Sequence, residues 1–125
     1  DVYKRQLMKE LHMKQITAII RPHRLDAVEA ALHALPHLPG FTVFPAHGHP
    51  RGHGHDHHFD NDEWSPDNHQ QLVLMVFCND GDAPGIVDAI ANAARTGQSG
   101  DGVIGVVELI DVVRTRTGER ADAAL

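Results

Sequence analysis

An α+β domain, with a four-stranded antiparallel sheet and two helices on one face, is the fold class this sequence predicts. Three observations predict it. Short apolar, β-branched runs recur four times, two segments between them carry helical spacing, and the resulting order is β-α-β-β-α-β. That order is the split βαβ, or ferredoxin-like, arrangement.

Each element follows from local chemistry. Gln15–Ile20 (QITAII) reads as a buried strand bounded by Pro22. Leu25, Val28, Leu32 and Leu35 recur at helical spacing, and Pro36 and Pro39 stop that helix. Phe41–Phe44 reads as a second strand, entered through Gly40 and ended near Pro45. Gln71–Cys78 is apolar enough to be a central strand. Asp80, Asp82 and Pro84 signal a helix start, and Ile86, Val87, Ile90 and Ala94 carry that helix towards Gly97. Val103–Leu109 is the fourth strand, with a short extension through Val113–Thr117. A sheet covered on one face leaves another face and open edges, so self-association is expected.

The composition fits one domain. The chain has 125 residues, 42% of them hydrophobic and 22% charged, enough for a hydrophobic core. A formal charge of −6 and the absence of any Lys/Arg run argue against nucleic-acid binding. The single cysteine, Cys78, suits a reducing cytoplasm and reads as a small core residue. No apolar segment reaches bilayer length, and DVYKRQLMKELH lacks the apolar centre of a signal peptide. A soluble cytoplasmic protein, not embedded in a membrane, is therefore expected. Met13 reads as the start of the domain (13–125), with residues 1–12 an extension outside the fold.

The histidine-rich stretch 47–69, HGHPRGHGHDHHFDNDEWSPDNH, lies between two strand-like segments. Its prolines and glycines disfavour helix and central strand, so it reads as a loop over about 46–69. His47/His49, His53/His55 and His55/His57 are H-x-H pairs, which in extended backbone put both rings on one side; His58 adds an adjacent donor. Neutral imidazole suits divalent transition metals, and nickel, copper, zinc and cobalt all remain open. The spacing matches no fixed zinc motif, and the plainer alternative is a solvated polar loop. Trp64 is read either as an anchor for this loop or for a partner contact, or as core.

A second candidate site spans 94–119, ARTGQSGDGVIGVVELIDVVRTRTGE. Gly97, Gly100 and Gly102 make a tight loop whose backbone amides are suited to an anion. Arg114 and Arg116 alternate along a segment read as extended, so both guanidinium groups are expected to point the same way, as a polyphosphate clamp requires. The alternative is a glycine turn beside two solvated arginines. His23, His33, Arg95 and Glu119 read as solvated, capping or ion-paired residues.

From Met13 onward the chain resembles the PII signal-transduction family. MKQITAIIRPHRLDAVEAAL is similar to that family's first strand and helix, and GFTVFPAHGHPRG to its second strand and the start of its long T-loop. AARTGQSGDGVIGVVELIDVVRTRTGERADAAL is similar to its B-loop, last strands and C-terminal segment. The resemblance implies a homotrimer that binds ATP, ADP or AMP in clefts between subunits. It implies phosphate contacts from Gly100, Asp101 and Gly102, a clamp from Arg114 and Arg116, T-loop base contacts from Gly48 and Arg51, and Thr42 near the adenine.

The departures are informative. Val103 stands where the family carries a phosphate-binding lysine, which implies weaker ATP binding or relatively better binding of a less charged nucleotide. Gly48-His49-Pro50-Arg51-Gly52 replaces G-F-G-R-Q, so the glutamine tied to magnesium and 2-oxoglutarate is missing. The sole tyrosine is Tyr3, which leaves no T-loop tyrosine for uridylylation.

The leading expectation is a regulator, not an enzyme. It couples transition metal at His47, His49, His53, His55, His57 and His58 to adenine nucleotide at the cleft, and controls a protein partner such as a heavy-metal efflux transporter. The alternatives are a nitrogen-type PII regulator of a transporter or enzyme, a plain metal buffer, and a weak metal-dependent nucleotide hydrolase. Neighbouring genes separate the partners: an efflux pump supports metal signalling, whereas an ammonium channel or a carboxylating enzyme redirects it.

Overall fold

The computed structural model describes residue 2, residues 12–49 and residues 70–125. Strands β1 (Met13–Ile20), β2 (Phe41–His47), β3 (Gln70–Asn79) and β4 (Ile104–Leu109) form one sheet in the order β2-β3-β1-β4. All three pairings are antiparallel, with Ile16 facing Val76 and Val106, and Phe41 facing Val76. Helices α1 (Leu25–His33) and α2 (Ala83–Ala94) complete the ferredoxin-like βαββαβ fold.

The alternation expected of a sheet covered on one side is plain in β1 and β3. Ile16, Ala18, Ile20, Leu74, Val76 and Cys78 are buried, and they pack with Val28, Leu32, Ile86 and Ile90 of the helices. Complete burial of each large aliphatic side chain contributes about 1.5–3 kcal/mol. The register puts Phe44, Val73, Met75, Phe77 and Val107 on the opposite face. Phe44, Phe77 and Val107 are exposed there.

Two boundaries differ from the sequence expectation, and one agrees with it. β2 runs through Pro45 to His47 because β2 is an edge strand, where a missing N–H costs no ladder bond on the solvent side. α2 starts where Asp82 and Pro84 signalled it, with Asp82 at the N-cap and Pro84 in the first turn, and the Asn79 side-chain oxygen accepts from the Asp82 N–H at 2.9 Å. The 113–117 extension is not a strand. Val113 makes one isolated bridge to Arg120, and the chain between them is a turn closed by Gly118 N–H to Arg114 O at 2.7 Å. Among the described residues no helix is long and apolar enough to cross a membrane.

Candidate functional site

The loop between α2 and β4 is built around one carboxylate. α2 ends at Ala94, Arg95 turns extended, and Asp101 reaches back to the loop's start. Its Oδ2 accepts from the N–H groups of Thr96 (2.8 Å) and Gly97 (2.9 Å), while its Oδ1 accepts from the Thr96 hydroxyl and from Arg21 Nε at 3.0 Å. These donors, the Thr96 hydroxyl first, then the Thr96 N–H, then Arg21 and the Gly97 N–H, hold the Asp101 carboxyl well below the usual carboxylate range. The Arg21 guanidinium also donates to Ser99 O.

The far end of the loop is fixed by close packing. Gly102 has φ +99°, and Ile19 N–H donates to Val103 O at 2.8 Å. The backbone N–H groups of Ser99, Gly100 and Gly102 donate to no described residue. Exposed backbone donors in a glycine-rich turn form a concavity suited to an anion.

A second feature lies at the other edge of the sheet. The chain after β4 returns over the open face to β2, where Gly40, Thr42, Met75, Phe77, Arg114 and Leu125 line a groove of about 500 Å³. Arg114 is fixed there: its Nε donates to Ala124 O at 2.9 Å, and its backbone N–H donates to Glu119 O at 2.8 Å. Arg120 pairs with Asp111 and tightens the same turn.

These positions sort the expected nucleotide residues into two groups. Gly100, Asp101 and Gly102 lie together in the α2–β4 loop; Thr42 and Arg114 lie together in the groove. β4 and β2 are the two edges of a four-stranded sheet, so about 14 Å separates them at the usual interstrand spacing. Gly48 follows the end of β2, with the Gln71 side chain directly against its Cα: a Cβ there would meet Gln71 Oε1 at 1.9 Å. His47 pairs with Gln70, at the end of the sheet where Ile20 pairs with Leu72.

One expectation needs correction. Arg114 and Arg116 do not alternate along an extended strand; they lie in a turn, and only Arg114 lines the groove. The Asp101 carboxylate is engaged within the loop, where it organises donors. His47 and His49 are exposed, and β2 ends at His47, so the pair straddles a strand end. Arg51, His53, His55, His57 and His58 lie outside the described residues. Among the described residues no three His, Cys, Asp or Glu side chains are grouped to hold a metal.

Sequence reasoning missed Arg21. Its only signal was a cation between a strand end and Pro22. Cys78 is fully buried, and burial, with Asp82 and Asp80 nearby, pushes its thiol pKa up, as befits a core residue.

Comparison with known proteins accounts for nearly the whole chain. The family model for nitrogen regulatory protein P-II matches residues 13–119. The nitrogen regulatory protein P-II of Rhizobium meliloti (strain 1021) is 41% identical over 107 residues, covering 86% of this chain and 95% of that one. The protein of the same name from Azospirillum brasilense is 39% identical over 113 residues, covering 90% and 100%. Among solved structures, Arabidopsis thaliana PII bound to citrate superposes with a TM-score of 0.72 at 27% identity, over 94% of this chain and 95% of that one. With its sheet order, its helices and its sequence all in agreement, the chain belongs to the PII family of nitrogen regulatory proteins.

Proposed function

We propose that this PII-family regulator works as a homotrimer that binds adenine nucleotide between subunits and passes the bound state to a protein partner. The single observation that carries the reading is the division of the candidate residues. The loop donors at Ser99, Gly100 and Gly102 and the groove at Thr42 and Arg114 sit on opposite edges of one chain. Two neighbouring copies bring one edge of each together. The apolar open face, with Phe44, Phe77 and Val107 exposed, supports such an assembly. The plant relative is described as bound to citrate, a polyanion, which supports an anion site in this fold.

In this reading the phosphates rest on the loop amides and the base lies near Thr42, with Arg114 presented by its bond to Ala124. Gly48 and Arg51 at the base of the 46–69 loop complete the contacts, and Arg116 lies nearby in the 114–118 turn. The relatives' names favour a nitrogen-type regulator, and in this reading its partner is a transporter or an enzyme. Calorimetric titration of ATP, ADP and AMP, with the oligomeric state measured by light scattering, tests this. Trimers with about three sites each support it; a monomer, or no nucleotide heat, refutes it.

A second reading is favoured by the seven histidines at 47–69. Nickel, copper, zinc or cobalt bound there, through His47, His49, His53, His55, His57 and His58, would order the same loop base that the nucleotide touches. Each ligand would then shift the other's affinity by the same factor. A heavy-metal efflux transporter is the partner this reading suggests. Metal titration with and without ADP decides it: equal metal affinities remove the coupling, and no metal heat removes the site.

A further inference from the structure

The loop that offers free amides to an anion is braced from outside as well as by its own Asp101. Ser99 O and the Asp101 carboxylate both accept from Arg21, while the N–H groups of Ser99 and Gly100 donate to no described residue. The origin of that side chain is fixed. Arg21 follows the last residue of β1 and precedes Pro22, which restricts its backbone to the extended region it occupies (φ −72°, ψ 140°). The guanidinium lies against Gly100: a Cβ there would sit 3.1 Å from Nη2, with Nη1 at 3.9 Å.

Other cations nearby do not do this work. Arg24 donates through Nε and Nη2 to Ala93 O, at 2.9 and 2.6 Å, and ties the first helical turn to the end of α2. No lysine follows Lys14 in the sequence. Of the described hydrogen bonds made by Arg21, none uses Nη1, so one edge of the fork remains beside the unengaged amides.

We propose that Arg21 is the positioning residue of the anion cradle. Its planar fork holds Asp101 and Ser99 on the inner side of the loop and keeps the cradle's amides converged. The proposal rests on the reading of this loop as a phosphate site, but its structural half is separable from that reading. A lysine cannot substitute, because an ammonium is a point charge without the paired geometry that reaches two acceptors from one plane. The cost of losing Arg21 should therefore fall on phosphate recognition and not on contacts to the base.

The test uses the full chain carrying Arg21→Met, Arg21→Lys or Asp101→Asn, with hydrogen exchange at the hydrogen-bonded Thr96, Gly97 and Gln98 amides and competition binding of ADP and adenosine. Loop exchange should rise about tenfold or more in all three variants, while exchange in β1 and β3 stays as in wild type. ADP affinity should fall about tenfold or more, and adenosine affinity should stay within about twofold. A merely structural role would weaken both ligands alike. Unchanged loop exchange overturns the proposal, as does faster exchange with unchanged ADP affinity or with equal loss of both ligands. If wild type binds neither ligand, the phosphate reading fails, and the exchange result alone then decides whether Arg21 holds the loop. Should the arginine variants not fold, Asp101→Asn gives the same exchange readout from the other partner.

Discussion

Gly102 and Ile19 approach more closely than any side chain would permit. A Cβ on Gly102 would lie 1.8 Å from the Ile19 carbonyl oxygen and 2.7 Å from its carbon. This contact, with the Ile19 N–H to Val103 O bond, pins the α2–β4 loop to the end of β1. The obstacle is backbone, so it cannot rotate away.

Gly102→Ala should therefore be costly twice over. The positive φ alone costs about 1–3 kcal/mol, and the clash adds to it. A melting temperature lower by several degrees and about tenfold or greater loss of ADP affinity are expected. Gly85→Ala gives the contrast: a Cβ there meets nothing, and Gly85 lies within α2, so a gain of about 0.5–1 kcal/mol is expected from thermal denaturation.

Loop order should depend on pH through Asp101. Its carboxyl is held below the usual range by Thr96, Arg21 and Gly97, so in acid the unfolded chain takes up a proton before the folded one does. The stabilisation is complete above the ordinary aspartate pKa of about 3.9 and is lost as pH falls towards the folded value. NMR of the Thr96 and Gly97 amides should show the loop loosening below about pH 4, and Asp101→Asn should remove that part of the pH dependence.

Cys78 should resist alkylation in the native state. It is fully buried and its thiol pKa is raised, so iodoacetamide at pH 8 should label it only after denaturant is added. Rapid native labelling would show that the core opens at β3.

Core packing sets the general stability. Ile90 is completely buried in the cluster with Leu32 and Val76, so Ile90→Ala should cost about 2–5 kcal/mol in urea unfolding without altering the denaturant slope.

Much of this architecture is legible in the sequence, because strand alternation and helical spacing are local signals. The run at 71–78 announced a central strand, and β3 does lie between β2 and β1. What the sequence concealed was set by partners remote along the chain. Pro45 stays in a strand because it lies on an edge, which only topology determines. Arg114 and Arg116 part company because Glu119 and Ala124 fold the chain back onto Arg114. Arg21 finds Asp101 across 80 residues of sequence, and no spacing rule predicts that pair. The histidines were conspicuous from composition alone, but ligand geometry needs three-dimensional placement, and His53, His55, His57 and His58 lie outside the described residues.

The claim that one site is shared between copies is tested most directly by mixing. Chains carrying Gly102→Ala keep the groove but lose the loop; chains carrying Arg114→Ala keep the loop but lose the groove. Each homotrimer alone should bind ADP poorly, and co-refolded equal mixtures should recover about one quarter of the wild-type sites, the statistical share of interfaces that pair an intact loop with an intact groove. Mixtures that bind no better than either parent would contradict the account.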